Sequence, residues 1–432
     1  MESTSASPLA AGALSGTDHV RYTDGVLTLD GLALDGVVAD VGTPAYVYAL
    51  DVMAAAMERA RAAFAPLGGL VSYSVKANSN QAVLARMVRL GAGFDVVSGG
   101  ELSRVLAAGG DPARTTFAGV GKTDEELALA VRHGVLVNIE SADEAEALDR
   151  VAAALGRRVR CGIRINPGVT VDTLAPMQTG SAKAKFGVPA AEARALVDAR
   201  LAGRYAQLDL LGVHMHVGSQ VPEPSGMVRG SEVLLDVLEY AQQRGLEEFR
   251  RFDIGGGFPI AYGGPAVPSV EDFAAALTPL LGGRSDLDVY LEPGRSVAGP
   301  AGVLVARVLY RKHRPGQRML VLDTGMHHLV RPALYRTDVH RILPLRDAPS
   351  AGPTVVVGPV CESTDTFAER AELPDLAPGD LVAFLDAGAY GMVMSSNYNT
   401  NRRPPELVVE GGTARVSRPR EQWSALFADE AE

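Results

Sequence analysis

The chain reads as an α/β protein: a closed (β/α)8 TIM-type barrel joined to a mostly antiparallel β domain formed by the C-terminal part and N-terminal strands. Three observations predict this. Between Leu70 and Leu291, eight short apolar runs alternate with helix-sized amphipathic segments, the count for a barrel of eight parallel strands. After Gly299-Pro-Ala, short strand-like runs are cut by Pro, Gly and Asp with few helical stretches between them, the pattern of an antiparallel sheet. Ahead of the barrel, residues 20–48 hold further β-like runs between Gly and Asp turns. The barrel is therefore expected as an insertion into the β domain. An open, doubly wound sheet is the alternative for the alternating part. The expected boundaries are a flexible Ser/Ala/Gly-rich segment over 1–18, the barrel over 46–300, and the β domain over 19–45 and 301–432.

The barrel strands are expected at 70–75, 93–97, 115–118, 135–139, 159–165, 208–217, 252–254 and 289–291. The helices between them have their own signals. Val83, Leu84, Met87 and Leu90 share one face and stop at Gly91, and Leu102, Val105 and Leu106 stop at Gly109. Thr123 with Glu126, and Ser141 with Glu144, have the spacing of capping boxes, in which each side chain satisfies the other end's free N–H. The second box opens a helix with Leu148, Val151 and Leu155 inward, closed by Gly156. Beyond the barrel, strands are expected at 303–310, 319–322, 354–357, 381–385 and 406–409, with a short helix near 422–427.

Composition narrows the class. The 432 residues are 47% hydrophobic and 21% charged, an ordinary globular balance with enough apolar mass for a large core. A net charge of −10 without a long basic run argues against nucleic acid or an anionic membrane as the main partner. The first twenty residues hold no Lys or Arg, so no secretory signal is expected. No stretch approaches the roughly 18 apolar residues of a membrane span. Two cysteines, Cys161 and Cys361, make no disulfide framework, and the expected compartment is the reducing cytoplasm.

In such a barrel, reactive side chains gather where strands end. Lys76 ends the first expected strand in Val71-Ser-Tyr-Ser-Val-Lys-Ala-Asn78. Asp95 and Ser98 close the second, Arg164 and Asn166 the fifth, and His214 and His216 the sixth. Gly255, Gly256 and Gly257 follow the seventh, and Glu292-Pro-Gly-Arg295 the eighth. Taken alone, Lys76 reads as a solvated strand end. In this company it reads as an amine able to form a Schiff base. Glycines after strand seven, with Arg295 after strand eight, suit a phosphate. Lysine, histidine, carboxylate and phosphate cradle together suit pyridoxal 5'-phosphate: Lys76 for its aldehyde, Glu292 for its ring nitrogen, His216 for a ring face. A metal held by His214 and His216 is the rival reading.

These segments resemble a known family. Tyr73-Ser-Val-Lys-Ala-Asn78, Asp95-Val-Val-Ser-Gly-Gly-Glu-Leu102, His214-Met-His-Val-Gly-Ser-Gln220, Asp253-Ile-Gly-Gly-Gly257 and Glu292-Pro-Gly-Arg295 look like the fold-type III pyridoxal phosphate decarboxylases. Cys361-Glu-Ser-Thr-Asp365 and Asp386-Ala-Gly-Ala-Tyr-Gly391 continue the likeness, which is greatest to the diaminopimelate decarboxylases. The resemblance implies that Lys76 carries the cofactor, His216 stacks on its ring and Glu292 binds its ring nitrogen. It places Ser219, Gly255, Gly256, Gly257, Gly294, Arg295 and Tyr390 around the cofactor, with Asp95 and Arg164 supporting lysine and ring. It also implies a homodimer whose sites are completed by the partner's Cys361 and Glu362, with Cys361 returning a proton to the α-carbon. Cys161, inside strand five, is expected to be a buried residue without a catalytic part.

Charge argues the substrate. Diaminopimelate carries a distal ammonium and a distal carboxylate, so its pocket needs an anion and a cation. Glu362 supplies the first; Arg331 and Tyr335, in Leu329-Val-Arg-Pro-Ala-Leu-Tyr335, supply the second, with Arg295 and Tyr390 also expected near substrate. The chain departs from the family pattern at Leu174-Ala-Pro-Met-Gln-Thr-Gly180, where a histidine is absent, and at Ser74, Met215 and Thr364. The alternatives are a lysine- or ornithine-type decarboxylase, a decarboxylase of a carrier-linked amino acid, an amino-acid racemase, and a non-catalytic regulator.

Overall fold

The computed structural model describes residues 19–173, 177–336 and 340–430. The expected flexible segment 1–18 and the first residues of the 174–180 loop lie outside them. The described residues form two compact units, one of Ala54–Ile260 with Val267–Ser296, the other of the chain up to Met53, Ala261–Ala266 and the chain from Val297.

The first unit is the barrel. Its strands are Leu70–Ser74, Gly93–Val96, Thr115–Phe117, Leu136–Ile139, Val159–Arg164, Leu208–His214, Arg251–Asp253 and Asp288–Leu291. All neighbouring pairs are parallel, and the eighth strand returns to the first at Leu291 opposite Val71. Closure excludes the open doubly wound sheet. Strand six stops at His214, three residues short of the expected end, so only His214 lies in the strand and His216 lies beyond it. A bulge between Leu210 and Gly212 precedes it, where a Cβ on Gly212 would sit 1.9 Å from the Arg251 carbonyl oxygen. The close approach of strand seven therefore admits only glycine there.

The helices start where their caps predict. Thr123 and Glu126 form the reciprocal box, and the helix Asp124–His133 ends at Gly134 with φ +72°. The second box is half made. The Ser141 hydroxyl accepts the Glu144 N–H, but the Glu144 carboxylate turns away to the Glu140 N–H at 3.0 Å and to Lys122 at 2.6 Å. A buried ammonium attracts that carboxylate more strongly than a backbone donor does.

The second unit is a nine-stranded sheet with a separate three-stranded one, Val20–Thr23, Val26–Leu29 and Leu32–Ala33. The N-terminal strand Ala45–Ala49 lies inside the larger sheet, between Gly302–Arg314 and Glu406–Glu410. Most pairings are antiparallel; Ala45–Ala49 with Glu406–Glu410, and Gln317–Leu322 with Pro353–Val357, are parallel. Its core packs Val47, Val303, Val305, Leu385, Leu407 and Val409 with the apolar side chains of the small sheet. Three strands carried too weak a pattern to be expected: Ile342–Pro344, Thr366–Glu372 and Thr413–Arg418. The last is charged and largely exposed, and Thr366–Glu372 buries only the adjacent Phe367 and Ala368, so burial imprints no alternation on either. The short helix expected near 422–427 is a single 3-10 turn, Trp423–Leu426. Among the described residues, no helix is long and apolar enough to cross a membrane.

Candidate active site

At the carboxyl end of the barrel, strand one passes into a 3-10 turn, Val75–Ala77, that carries Lys76. The Lys76 Nζ lies 2.5 Å from Asp95 Oδ2 and 2.9 Å from Ser74 Oγ, and the Ser74 hydroxyl donates to the same Asp95 oxygen at 2.7 Å. Register explains the triangle, because Ser74 is paired with Asp95 across strands one and two. Asp95 is wholly buried and the Lys76 side chain is 31% exposed, so the lysine is not a solvated strand end. Burial pushes the Asp95 carboxyl up, but the Lys76 charge and the bonds from Lys76 and Ser74 outweigh it and hold it below the usual range.

A second buried group sits around Glu292. Its Oε2 lies 3.3 Å from His214 Nε2, and its Oε1 is buried without a hydrogen-bond partner among the described residues. Burial, then the negative charge of Asp95, raise the Glu292 carboxyl to about 8. Asp253 stands nearby and is raised to about 6, again by burial and then by Glu292. Burial also lowers His214 to about 4, so it is a neutral imidazole. The imidazole and the two carboxylates have the proximity of a metal-binding group. Both oxygens of Asp253 are already engaged, however, by Arg251 at 2.7 Å and by the Gly255 N–H at 3.1 Å.

His216 leaves the strand and is held by its backbone: Thr179 Oγ donates to its carbonyl at 2.7 Å. Its Nδ1 accepts the Gly256 N–H at 3.1 Å, which puts the ring proton on Nε2. Burial, then the charges of Lys76 and Arg164, keep its pKa well below the usual range. The glycine run is thus partly used inside the barrel, with the first two N–H groups taken by Asp253 and His216. Gly257, at φ +108°, is the member not so engaged. Arg295 reaches Ser219 Oγ at 3.0 Å through Nη2, which brings two of the residues expected around an anion together. A Cβ on Gly294 would come within 2.9 Å of Ser74 Cβ, so that glycine serves packing. Arg164 pairs with Glu140 at 2.8 Å, both buried; Glu140 also accepts the Gly119 and Gly187 N–H groups.

In the β unit, Arg331 is buried, with its guanidinium carbon 5.1, 5.6 and 6.0 Å from the ring centres of Tyr335, Tyr262 and Tyr390. Cys361 and Glu362 stand on an exposed loop. There Thr364 and Tyr398 donate to the Glu362 carboxylate and lower its pKa. Cys161 is buried and its thiol pushed well up, in keeping with a residue that takes no part in chemistry.

Residues 50–299 match the family model described as "Pyridoxal-dependent decarboxylase, pyridoxal binding domain". The chain belongs to the pyridoxal-dependent decarboxylases. A diaminopimelate decarboxylase of Pseudomonas aeruginosa is 42% identical, over 96% of this chain and 99% of that protein. The crystal structure of the Helicobacter pylori diaminopimelate decarboxylase complexed with L-lysine superposes with a TM-score of 0.86 at 36% identity, covering 91% of this chain and 98% of the other. A lysine/ornithine decarboxylase of Vibrio vulnificus is more distant, with a TM-score of 0.76 and 26% identity over 87% and 97%. This decarboxylase has the residues that pyridoxal phosphate requires. They comprise an amine, a buried carboxylate oxygen with no partner to receive a ring N–H, a neutral imidazole, and an Arg–Ser pair for the phosphate.

Sequence reasoning assigned no part to Ser74, Glu140, Arg251 or Asp253, and named His214 only as a strand end or metal ligand. Each acts through a neighbour from another strand. The one available signal was Ser74, the polar residue two positions before the lysine.

Proposed function

We propose that this decarboxylase removes the α-carboxylate of meso-diaminopimelate, releasing L-lysine and carbon dioxide. When bound, pyridoxal phosphate supplies the electron sink for the pair left on the α-carbon. The chain's own residues do the rest. Lys76 provides the amine that attaches the cofactor, and Asp95 with Ser74 holds that amine in place. Glu292 would hold the ring nitrogen through its unpartnered Oε1, an interaction that would strengthen as charge enters the ring. His216, locked by the Gly256 N–H, would support one face of the ring. Arg295, Ser219 and Gly257 bind the phosphate, with Tyr390 beside it, and Arg164 supports the ring side.

At the distal end, Arg331 takes the substrate carboxylate with Tyr335, and Glu362 takes the ammonium. The Cys361 thiol delivers a proton to the α-carbon. We assign Cys361 and Glu362 to the site of a second copy, making the working form a homodimer in the cytoplasm. The observation that carries the reading is the Lys76–Asp95–Ser74 triangle at the carboxyl end of the barrel that also holds Glu292. The likeness to a diaminopimelate decarboxylase over nearly both full lengths supports the substrate.

The test is carbon dioxide release from meso-diaminopimelate, L-lysine, L-ornithine and L-arginine by the cofactor-loaded protein. Release from meso-diaminopimelate alone, matched by L-lysine, is expected. Release only from lysine or ornithine refutes the substrate assignment. Release from none points to a carrier-linked substrate, the outcome motivated by the missing histidine in the 174–180 loop.

A further inference from the structure

The opposite, amino-terminal mouth of the barrel is hollow. A cavity of about 570 Å³ opens where the strands begin, and its polar lining is dominated by Arg114, Arg160, Arg250 and Arg251 against Glu248 and Asp288. Four positive charges against two negative leave a net excess of positive charge, in a volume ordinary for a small-molecule site. Arg251 is paired with the buried Asp253 at 2.7 Å, but the contacts of the other three do little to neutralise the excess. Arg160 donates to the carbonyls of Ala113 and Gly134, and Arg250 to that of Ser285. Carbonyl oxygens satisfy hydrogens but leave the charge. The carboxylate nearest Arg250, Asp288, is 3.9 Å away, and Arg114 has no ion pair among the described residues.

Arg251 is the buried member. It holds Asp253 and Thr116 through Nη2, and its guanidinium carbon is 3.4 Å from the centre of the Tyr290 ring. Its Nε is buried without a partner among the described residues, as is that of Arg250. An unsatisfied buried donor on a cation is costly, and an anion in the cavity would relieve it. Guanidinium forks bind carboxylate and phosphate oxygens in pairs. Partial burial strengthens that attraction relative to open water.

We propose that the amino-terminal mouth is a second ligand site, taking a compact polyanion whose charges are carboxylates or phosphates. It is independent of the reaction assigned to the other end of the barrel. The test is titration calorimetry on the cofactor-loaded protein, so that the phosphate site at the carboxyl end is filled, with inorganic phosphate, citrate and, as a monoanion control, acetate. Saturable binding of phosphate or citrate, one per chain, is expected. It should weaken about tenfold or more, the equivalent of ~1.4 kcal/mol, in Arg114→Ala/Arg250→Ala, with decarboxylation in the absence of added anion unchanged. If the double variant is unstable, Arg114→Ala alone, which removes an exposed side chain, should shift affinity in the same direction. Binding of phosphate only identifies a phosphate ligand, and binding of citrate only a polycarboxylate. No saturable heat from either, tight binding of acetate, or equal affinity in the variants overturns the proposal.

Discussion

Ser74 tests the lysine corner without removing the lysine. Its hydroxyl bridges a buried carboxylate and an amine, and a hydrogen bond to a charged group contributes about 1.5–3 kcal/mol. Ser74→Ala should lower stability by that amount in urea denaturation; no change would mean that Asp95 and Lys76 hold each other unaided. Lys76, Asp95, Arg164, Glu292 and Arg295 could be picked out in the sequence because each is a polar residue at or just past the end of an apolar run. Asp253 was harder to see. Its effect on Glu292 depends on neighbouring strands closing round a barrel, and its partner Arg251 reads as a strand-entry charge. Glu140 was hidden for a similar reason, since it begins a loop and meets Arg164 only across strands four and five.

Elements set how closely these side chains approach. The turn after strand seven has no room at Gly256, where a Cβ would lie 2.3 Å from the Glu292 carbonyl oxygen. Overpacking of this kind costs ~1–3 kcal/mol, and here it would fall on the segments that hold His216 and Glu292. Gly256→Ala should therefore weaken cofactor binding about tenfold, measured by titrating visible absorbance; wild-type affinity would show that the turn relaxes elsewhere. All eight strands were legible as apolar runs, and their order followed from the alternation with helices. Their ends were less so. Met215 and Val217 extend the apolar alternation past His214, yet the strand ends at His214, and the Met215 N–H bond to the Asp253 carbonyl is its last to strand seven. The strand Thr413–Arg418 left no trace because nothing buries one face, and Thr366–Glu372 left none because its buried residues, Phe367 and Ala368, are adjacent and make no alternation.

For the whole molecule, buried titratable groups make stability depend on pH. Burial raises Glu292 from an ordinary 4.5 to about 8, so its stabilising contribution is full below about pH 4.5 and is lost as pH rises through 8. The cofactor-free protein should lose stability across that window, and Glu292→Gln should flatten the slope; an unchanged slope in thermal melts would assign the effect to other groups. The proposed homodimer makes a second prediction. Mixing inactive Lys76→Ala and Cys361→Ala proteins under exchange should restore about a quarter of wild-type activity, since half the dimers are mixed and each holds one intact site. No recovery despite exchange would place both residues in one chain's site. Central to the whole account is the lysine at the end of strand one. Borohydride reduction of the cofactor-loaded protein followed by peptide mapping tests it most directly. The account predicts a reduced pyridoxyl group on Lys76, whereas the label on Lys185, with Lys76 unmodified, would contradict it.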